Sequence, residues 1–341
     1  MIKRILGKLV FYLGITFLID LLLDRGDSGQ IISYHSIANQ GHYYRKEFSN
    51  EFLAKNFENQ LRFLSKRFNI MPLKQMVDML HANKILPPKT IAIVFDDGYR
   101  DNFTVALPLL KKLKIPATFF IATDFIESSN MPECDKIAYM IHFTNKQGFT
   151  LTELETRYQL TDSKQKHNTI VDIDNKTKDL PTDRRSEIIK TMSHLLEVDP
   201  DQEIKDNLCM DWNQVQQLHN DLTQVGSHGC THKILTKMTL KHAKEEVFSS
   251  KEQLQRITSQ PITLFSYPSG EYNKDIQRLL VEAGYLCGIG KEQGVNTQET
   301  DIYQLKRVFV EPETSIYDLH CYLSKSIQAV NRFLSSFKRI R

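Results

Sequence analysis

Short apolar runs alternate with segments of helical periodicity along most of this chain, and this alternation restricts the possible folds. The run "TIAIVFDDG" (Thr90 to Gly98) is rich in β-branched residues and precedes an amphipathic segment at residues 100–114. A second apolar run, Ala117 to Thr123, follows directly. Continuous apolar strands joined by helices are typical of a parallel sheet that is covered on both faces. The sequence therefore predicts an α/β fold, either a barrel or a doubly wound sheet.

The size and composition of the chain exclude several classes of protein. With 341 residues, of which 41% are hydrophobic, it can bury one large core or two average ones. Its 44 basic and 41 acidic residues nearly balance, which argues against a dedicated nucleic-acid-binding protein. The five cysteines are odd in number and scattered, so free thiols are expected rather than disulfides or a thiolate zinc site.

Both ends of the chain have a composition that suits a surface or a membrane. Residues 1–28 are predicted to form a hydrophobic, amphipathic helix, because the apolar run from Leu9 to Leu23 is interrupted by Asp20 and has no small-residue cleavage site. Interfacial or signal-anchor attachment and plain packing on the protein both remain open. Residues 323–341 are predicted to form a basic helix or tail. With the unpaired cysteines, these features predict a location at the cytoplasmic side of a membrane, peripheral or N-terminally anchored.

A polar stretch at about residues 128–208 interrupts the alternation of strands and helices. It carries much charge and little periodic apolar content, and it is too long for a structureless loop in a compact domain. We therefore predict a helical insertion whose clearest helix runs from Pro181 to Val198, with Thr182 as its N-cap. A lid over a functional site and a surface elaboration are both compatible with this pattern.

Polar side chains follow the predicted strands at the points where these strands end. Asp96 and Asp97 lie in "IVFDDG", His228 and His232 in "VGSHGCTH", and His35 in "IISYHS". A fourth cluster, in "LFSYPSG", consists of Tyr267, Pro268, Ser269 and Gly270. The spacing of the two histidines is weak evidence alone, but the carboxyl ends of parallel strands meet at one edge of a sheet. The convergence of these groups therefore predicts a metal site.

The residue types at this edge suit a hydrolytic metal centre. Two neutral imidazoles and a carboxylate can hold zinc or a similar divalent ion and leave positions for water and substrate. A bound ion lowers the pKa of its water, and an adjacent carboxylate can then take the proton. Asp96 and Asp97 can supply one base and one ligand, although Asp-Asp-Gly is also an ordinary turn sequence. Cys230 is expected to be a packed thiol, with a role as a further ligand left open.

Several motifs, in this order along the chain, resemble those of the polysaccharide deacetylase family with its NodB homology domain. They are "IISYHS", "IVFDDGYRDN", "PATFFIAT", "MDWNQVQQL", "VGSHGCTH", "LFSYPSGEYN" and "AGYLCGIG". The similarity extends from about Gln30 to Pro312, without the insertion. It implies a distorted (β/α) barrel over residues 29–322 and removal of acetyl groups from N-acetylated sugars.

The resemblance also implies roles for individual residues. Asp96 matches the catalytic base of the family, while Asp97, His228 and His232 match its metal ligands. The third motif, residues 267–270, is expected to contact the substrate and to donate a backbone N–H to the oxyanion.

The chain departs from the family pattern at two positions, so two roles are expected to fall to other residues. Ser266 stands where a basic residue would orient the base, so Arg307 in "LKRVFV" is the candidate to supply that charge. The late histidine that serves as general acid is missing, and His320 in a terminal helix is a poor substitute. His35 is therefore expected to protonate the leaving amine; the alternative is a His35 that only caps its strand or hydrogen-bonds an aspartate. Trp212 and Tyr99 are candidates to line a sugar subsite, although a single Trp at the start of a helix is more often a core residue.

Together these features predict a metal-dependent hydrolase that removes N-acetyl groups from amino sugars of a polysaccharide or glycan precursor. The expected cofactor is zinc, with cobalt, nickel or another divalent ion as alternatives. The expected partners are the glycan and, through the N-terminal helix, a membrane surface, but not nucleic acid. Two further hypotheses stay open: an amidohydrolase for a small non-sugar amide such as a cyclic ureide, and a catalytically idle glycan-binding domain at the membrane.

Overall fold

The computed structural model describes residues 27–39, 51–128, 131–200 and 208–324. The helix predicted for residues 1–28 and the tail predicted for residues 323–341 lie almost entirely outside the described residues, and both stay predictions. Within the described ranges, no helix is long and apolar enough to span a membrane.

A mainly parallel sheet forms the centre of the fold. The strands are β1 (Ser28–Tyr34), β2 (Ser36–Ala38), β3 (Glu51–Leu53), β4 (Asn69–Ile70), β5 (Thr90–Phe95), β6 (Ala117–Ile121), β7 (Gly148–Leu151), β8 (Thr156–Gln159), β9 (Thr223–Ser227), β10 (Leu264–Ser266), β11 (Cys287–Ile289), β12 (Asn296–Thr297) and β13 (Val308–Phe309). In the main sheet β11, β10, β9, β6, β5 and β1 are neighbours in that order. Each adjacent pair runs parallel. Strand β5 is buried along its whole length, as an apolar, β-branched strand covered on both faces should be.

The main sheet curls so that its two edges approach each other. Strand β13 pairs in parallel with β1 at one edge. Leu305, shortly before β13, forms a parallel bridge with Ile289 of β11 at the other edge. Because residues 305–309 contact both edges, the sheet has the form of a distorted, incompletely hydrogen-bonded barrel rather than an open doubly wound sheet.

The described residues also form α-helices, most of which cover the outside of this sheet. They are α1 (Ala54–Ser65), α2 (Leu73–His81), α3 (Leu107–Leu113), α4 (Glu133–Phe143), α5 (Ser163–Thr177), α6 (Thr182–Leu196), α7 (Trp212–Leu218), α8 (Leu240–Thr258), α9 (Lys274–Glu282) and α10 (Ile316–Leu323). The side chains of Asp211 and Thr239 accept N–H bonds at the starts of α7 and α8, as N-cap residues do. The apolar faces pack into a core in which the rings of Phe95 and Phe119 stack with centroids 4.8 Å apart.

Within the predicted insertion, the described residues 131–200 have a small hydrophobic core of their own. Helices α4, α5 and α6 and the antiparallel hairpin β7–β8 contribute to it. The sequence did not predict this hairpin. Helix α6 starts at Thr182, with Pro181 in the extended N-cap position and no side-chain cap. The predicted capping role of Thr182 is therefore wrong, because Thr182 is already helical and Pro181 precedes the helix.

Candidate active site

The parallel strands bring the predicted polar groups to one edge of the sheet. Tyr34 and Phe95, the last residues of β1 and β5, are register partners, so His35 and Asp96 follow at neighbouring positions. His228 follows β9, which is separated from β5 by β6 alone. The carboxyl edge of the strands is where α/β folds carry their functional groups.

Asp97, His228 and His232 form a group that can hold a metal ion. Asp97 Oδ1 lies 3.5 Å from His228 Nε2 and 3.2 Å from His232 Nε2. The ligand atoms of all three residues lie within 4.8 Å of one another. Asp97 and His232 have φ angles of 76° and 59°, which are uncommon for residues other than glycine. Such backbone strain concentrates at functional sites, where the surrounding structure holds it in place.

Both imidazoles are prepared to act as ligands. His228 Nδ1 lies 2.7 Å from the carbonyl oxygen of Ser266. Because a carbonyl can only accept, Nδ1 carries the proton and Nε2 keeps its lone pair. Burial lowers the pKa of His228 to about 3 and that of His232 to about 4. Both rings are therefore neutral near neutral pH, as metal ligation requires.

The two aspartates also fit a bound cation. Asp96 Oδ1 and Asp97 Oδ1 are buried and have no hydrogen-bond partner among the residues that the structure describes, which is costly in a protein interior. Burial, with a smaller contribution from the charge of Asp96, raises the pKa of Asp97 to about 6. A divalent cation beside Asp97 would offset this cost, so the donor set and its electrostatics suit a metal ion.

Asp96 is bound through its other oxygen by Arg307. The guanidinium donates to Asp96 Oδ2, and the side chains of Arg307 and Asp96 are only 3% and 1% exposed. Arg307 also donates to Ser33 Oγ at 3.4 Å and to Ser266 Oγ at 3.3 Å. Burial opposes ionisation of Asp96, but the charge of Arg307, helped by nearby histidines, lowers its pKa to about 2. Asp96 is thus held ionised, with Oδ1 left for other partners.

A buried polar network fixes the backbone at His35, which is half-buried. Asn102 Nδ2 donates to the carbonyl oxygen of His35 at 2.7 Å and to Asp101 Oδ1 at 3.0 Å. Ser36 Oγ donates to the other oxygen of Asp101. Asp101 and Asn102 were not predicted as site residues, although both belong to the motif "IVFDDGYRDN".

The loop that carries the two histidines is held by a residue from α8. Glu246 Oε2 accepts the backbone N–H groups of Cys230 and Thr231 at 2.7 and 2.9 Å, and Oε1 accepts Thr231 Oγ1 at 2.7 Å. Burial raises the pKa of Cys230 to about 12, and its thiol lies against the carbonyl oxygen of Glu246 at 3.6 Å. Cys230 is therefore a packed thiol outside the ligand group. Glu246 was not predicted, since its role depends on how α8 packs against the histidine loop.

Two tyrosines predicted to contact substrate are core residues instead. Tyr267 is fully buried, and its hydroxyl donates to the carbonyl oxygen of Tyr303 at 3.0 Å. Tyr99 is 1% exposed, and its hydroxyl donates to Asp135 Oδ2 at 2.7 Å. Both predictions are wrong for the side chains, because each ring packs in the interior and each hydroxyl is satisfied there.

In the third motif, Ser269 is the residue best placed to contact substrate. The N–H groups of Tyr267 and Gly270 donate within the protein, at 3.0 and 2.7 Å, and Pro268 has no N–H. Ser269 is exposed and has a φ angle of 54°. It lines a pocket together with His232.

The fold, and a group of residues that could hold a metal ion at the carboxyl edge of its sheet, are typical of a hydrolase. Comparison with known proteins gives the family: the polysaccharide deacetylase model matches residues 83–288. The chain therefore belongs to the polysaccharide deacetylase family, whose members hydrolyse N-acetyl groups from polysaccharides. The matched range includes Asp96, Asp97, His228 and His232, whereas His35 and Arg307 lie outside it.

Individual relatives agree with this assignment. The chain is 23% identical to the Bacillus subtilis protein YxkH over 286 residues, which are 84% of this chain and 72% of that protein. It is 34% identical over 95 residues to the poly-β-1,6-N-acetyl-D-glucosamine N-deacetylase of Staphylococcus aureus, a match that spans 27% of this chain and only 32% of that enzyme.

Solved structures show the same fold. The deacetylase PplD of Streptococcus pyogenes, in complex with acetate, has a TM-score of 0.58 at 17% identity, covering 87% of this chain and 98% of PplD. IcaB from Ammonifex degensii has a TM-score of 0.58 at 16% identity, covering 88% of this chain and 98% of IcaB. At these identities the similarity supports the fold alone.

Proposed function

We propose that this chain is a metal-dependent hydrolase that removes N-acetyl groups from amino sugars of a polysaccharide or glycan precursor. The observation that carries the proposal is the different pairing of two adjacent aspartates. Asp97 lies against His228 and His232, whereas Asp96 is bound by Arg307. One carboxylate is therefore available as a ligand and the other as a base, which is the division of labour that metal-assisted hydrolysis needs.

The proposed cofactor is zinc, held by Asp97, His228 and His232. Two imidazole nitrogens and one carboxylate oxygen are a common donor set for catalytic zinc and leave further positions open. When bound, such an ion would polarise the acyl oxygen and lower the pKa of a water molecule. Cobalt and nickel suit the same donors, so the metal is to be identified by measurement.

Asp96 is proposed as the general base. Because Arg307 occupies Oδ2 and Oδ1 has no hydrogen-bond partner within the described part of the chain, Oδ1 is the atom that takes the proton from the attacking water. The tetrahedral oxyanion would then accept the backbone N–H of Ser269. In other hydrolases, one preorganised donor of this kind contributes about 3–4 kcal/mol.

His35 is proposed as the general acid that protonates the leaving amine. His35 directly follows β1, and Asp96 directly follows β5 at the neighbouring register position. The charge of His35 contributes to lowering the pKa of Asp96. His320, the other candidate, is fully buried in α10 and packs edge-on against Phe63. A buried ring in the core has no access to a leaving group.

The proposed substrate is a polymer or precursor of N-acetylhexosamine. The Staphylococcus aureus relative is named for poly-β-1,6-N-acetyl-D-glucosamine, and that chemistry is extended to this chain as a proposal. The idle glycan-binding hypothesis rested on the missing arginine of the third motif and on the missing late histidine. Arg307 supplies that charge to Asp96, which favours an active enzyme.

The experiment that tests the function is acetate release by the full chain, after metal removal and then with added zinc or cobalt. The substrates are N-acetylglucosamine tetramers with β-1,4 or β-1,6 linkages, with a small cyclic ureide as the competing substrate. We expect acetate from at least one tetramer, loss of activity with chelator and recovery with metal. Turnover of the ureide alone would contradict the proposal.

We also propose that the protein lies at the cytoplasmic side of a membrane, peripheral or N-terminally anchored. The support is the apolar, partly charged composition of residues 1–28 and the five free cysteines. Release of the protein from membranes by high salt would support surface attachment, and a requirement for detergent would support an anchor. Recovery in the soluble fraction without either would contradict membrane attachment.

A further inference from the structure

The pocket beside His232 has two walls of different origin. The wall from the barrel edge includes Thr231, His232 and Ser269, and the wall from the insertion includes Glu133 of α4, Asp174 of α5 and Arg185 of α6. The pocket has a volume of about 180 Å³. A ligand on the insertion wall would therefore lie directly beside the proposed reaction centre.

Arg185 orders the insertion wall. Its Nη2 donates to Asp174 Oδ1 at 2.7 Å, and its Nε lies 2.8 Å from Glu133 Oε2. Ser186 Oγ donates to the other oxygen of Glu133 at 3.1 Å. The Arg185 side chain is 12% exposed, whereas those of Glu133 and Asp174 keep 28% and 30% of their surface. Three helices thus present fixed donors and acceptors, so little conformational freedom is lost when a ligand binds.

The volume and chemistry of the pocket suit one sugar ring. Pockets for drug-sized ligands measure about 300–1,000 Å³, so the smaller cavity here accommodates a single pyranose rather than a longer segment. Sugar hydroxyls both donate and accept hydrogen bonds, the exposed carboxylate oxygens accept them, and guanidinium donates. Hydrogen bonds to charged groups are stronger than those between neutral groups.

We infer that the insertion forms a subsite for the sugar unit next to the one that is deacetylated, with Arg185 as its positioning residue. This inference rests on the proposed function. Binding energy from a non-reacting unit holds the reacting unit in place and raises the rate of the chemical step. The enzyme therefore prefers oligosaccharides to substrates that cannot reach the insertion wall.

Adjacent arginines provide a matched test of the subsite. Arg185→Gln removes the charge that orders the wall. Arg184→Gln is the control, because Arg184 is 48% exposed and pairs with Glu187 on the surface. The two substrates are an N-acetylglucosamine tetramer and a small aryl acetate that does not extend to the wall.

Arg185→Gln should lower kcat/KM for the tetramer by about tenfold or more and for the aryl acetate by less than about twofold. Arg184→Gln should change neither. Asp174→Asn, which keeps the size of the side chain, is a second variant that should lower tetramer turnover selectively while preserving Tm. Equal losses on both substrates, or no loss on the tetramer, would overturn the subsite.

Calorimetric binding of the tetramer to Asp96→Asn, with and without Arg185→Gln, separates the subsite from the proposed function. Binding that weakens when Arg185 is replaced supports the subsite, even if the wild-type protein releases no acetate and the proposed function fails. Acetate release with binding that does not depend on Arg185 contradicts the subsite and leaves the proposed function standing. Absence of any binding contradicts the subsite as well.

Discussion

Arg307 donates to Asp96 across 211 residues of sequence, and both side chains are almost completely buried. The same guanidinium lies 3.3 Å from Ser266 Oγ, at the position where a basic residue was expected in the third motif. The charge thus reaches the base from the segment before β13 rather than from the last residue of β10. A buried carboxylate needs such a partner to stay ionised.

Replacing Arg307 by methionine should leave the charge of Asp96 buried and unpaired. We expect a loss of about 3–5 kcal/mol in the free energy of unfolding, measured by urea titration, and a fall in kcat of about a hundredfold. Arg307→Lys should recover part of both. Wild-type kcat in Arg307→Met would show that Asp96 does not depend on this contact.

Removing a proposed ligand should abolish metal binding and activity together. His228→Ala removes one imidazole from the proposed ligand set of Asp97, His228 and His232. The remaining two donors should hold a divalent ion too weakly. Metal content of the purified protein, measured by elemental analysis, should fall to background. His242→Ala is the control because His242 is exposed on α8, and it should keep both properties. Full metal content in His228→Ala would exclude this histidine as a ligand.

Glu246 should influence the metal site without touching the metal. Glu246→Gln weakens the contacts that fix the backbone at Cys230 and Thr231, so the orientation of His232 is less well defined. Supporting contacts of this kind typically change metal affinity by about 10–100-fold. Competition with a chromophoric chelator measures that affinity. An unchanged affinity would mean that the loop keeps its shape without the carboxylate.

The role of His35 can be tested through the leaving group. His35→Ala should slow hydrolysis of an N-acetyl amide by about 10²–10⁴-fold, the usual contribution of a general acid. An aryl acetate expels a phenolate that needs no proton, so its hydrolysis should be much less affected. If both substrates lose activity equally, His35 supports the structure of the site and does not donate the proton.

Local patterns in the sequence were sufficient to predict the elements that carry the site. Asp97 and the two histidines follow apolar runs whose ends can be located from neighbouring residues alone. In the structure, the ligand atoms of these three residues lie within 4.8 Å of one another. The roles of Glu246 and Asn102 depend on how separate elements pack against each other. The local apolar periodicity does not predict such packing. The same is true of Tyr267, whose ring turns into the core.

The alternation of strands and helices alone also could not distinguish a barrel from an open sheet. The distinction depends on residues 305–309, which contact both β1 and β11. Apolar periodicity indicates which face of a strand is buried, but not which strand it pairs with. The insertion was predicted as a polar interruption. Its contribution to the pocket beside His232 could not be predicted from the sequence, because it depends on how α4, α5 and α6 pack together.

The role of Asp96 as the base is tested most directly by acetate release from an N-acetylglucosamine tetramer, compared between wild type and Asp96→Asn at equal metal content. The substituted amide would keep the shape of the side chain but could not take a proton, and the ligands Asp97, His228 and His232 would be untouched. We predict that the variant retains its metal and loses at least about a hundredfold in kcat. Turnover at the wild-type rate by the metal-loaded variant would contradict the assignment of Asp96 as the base.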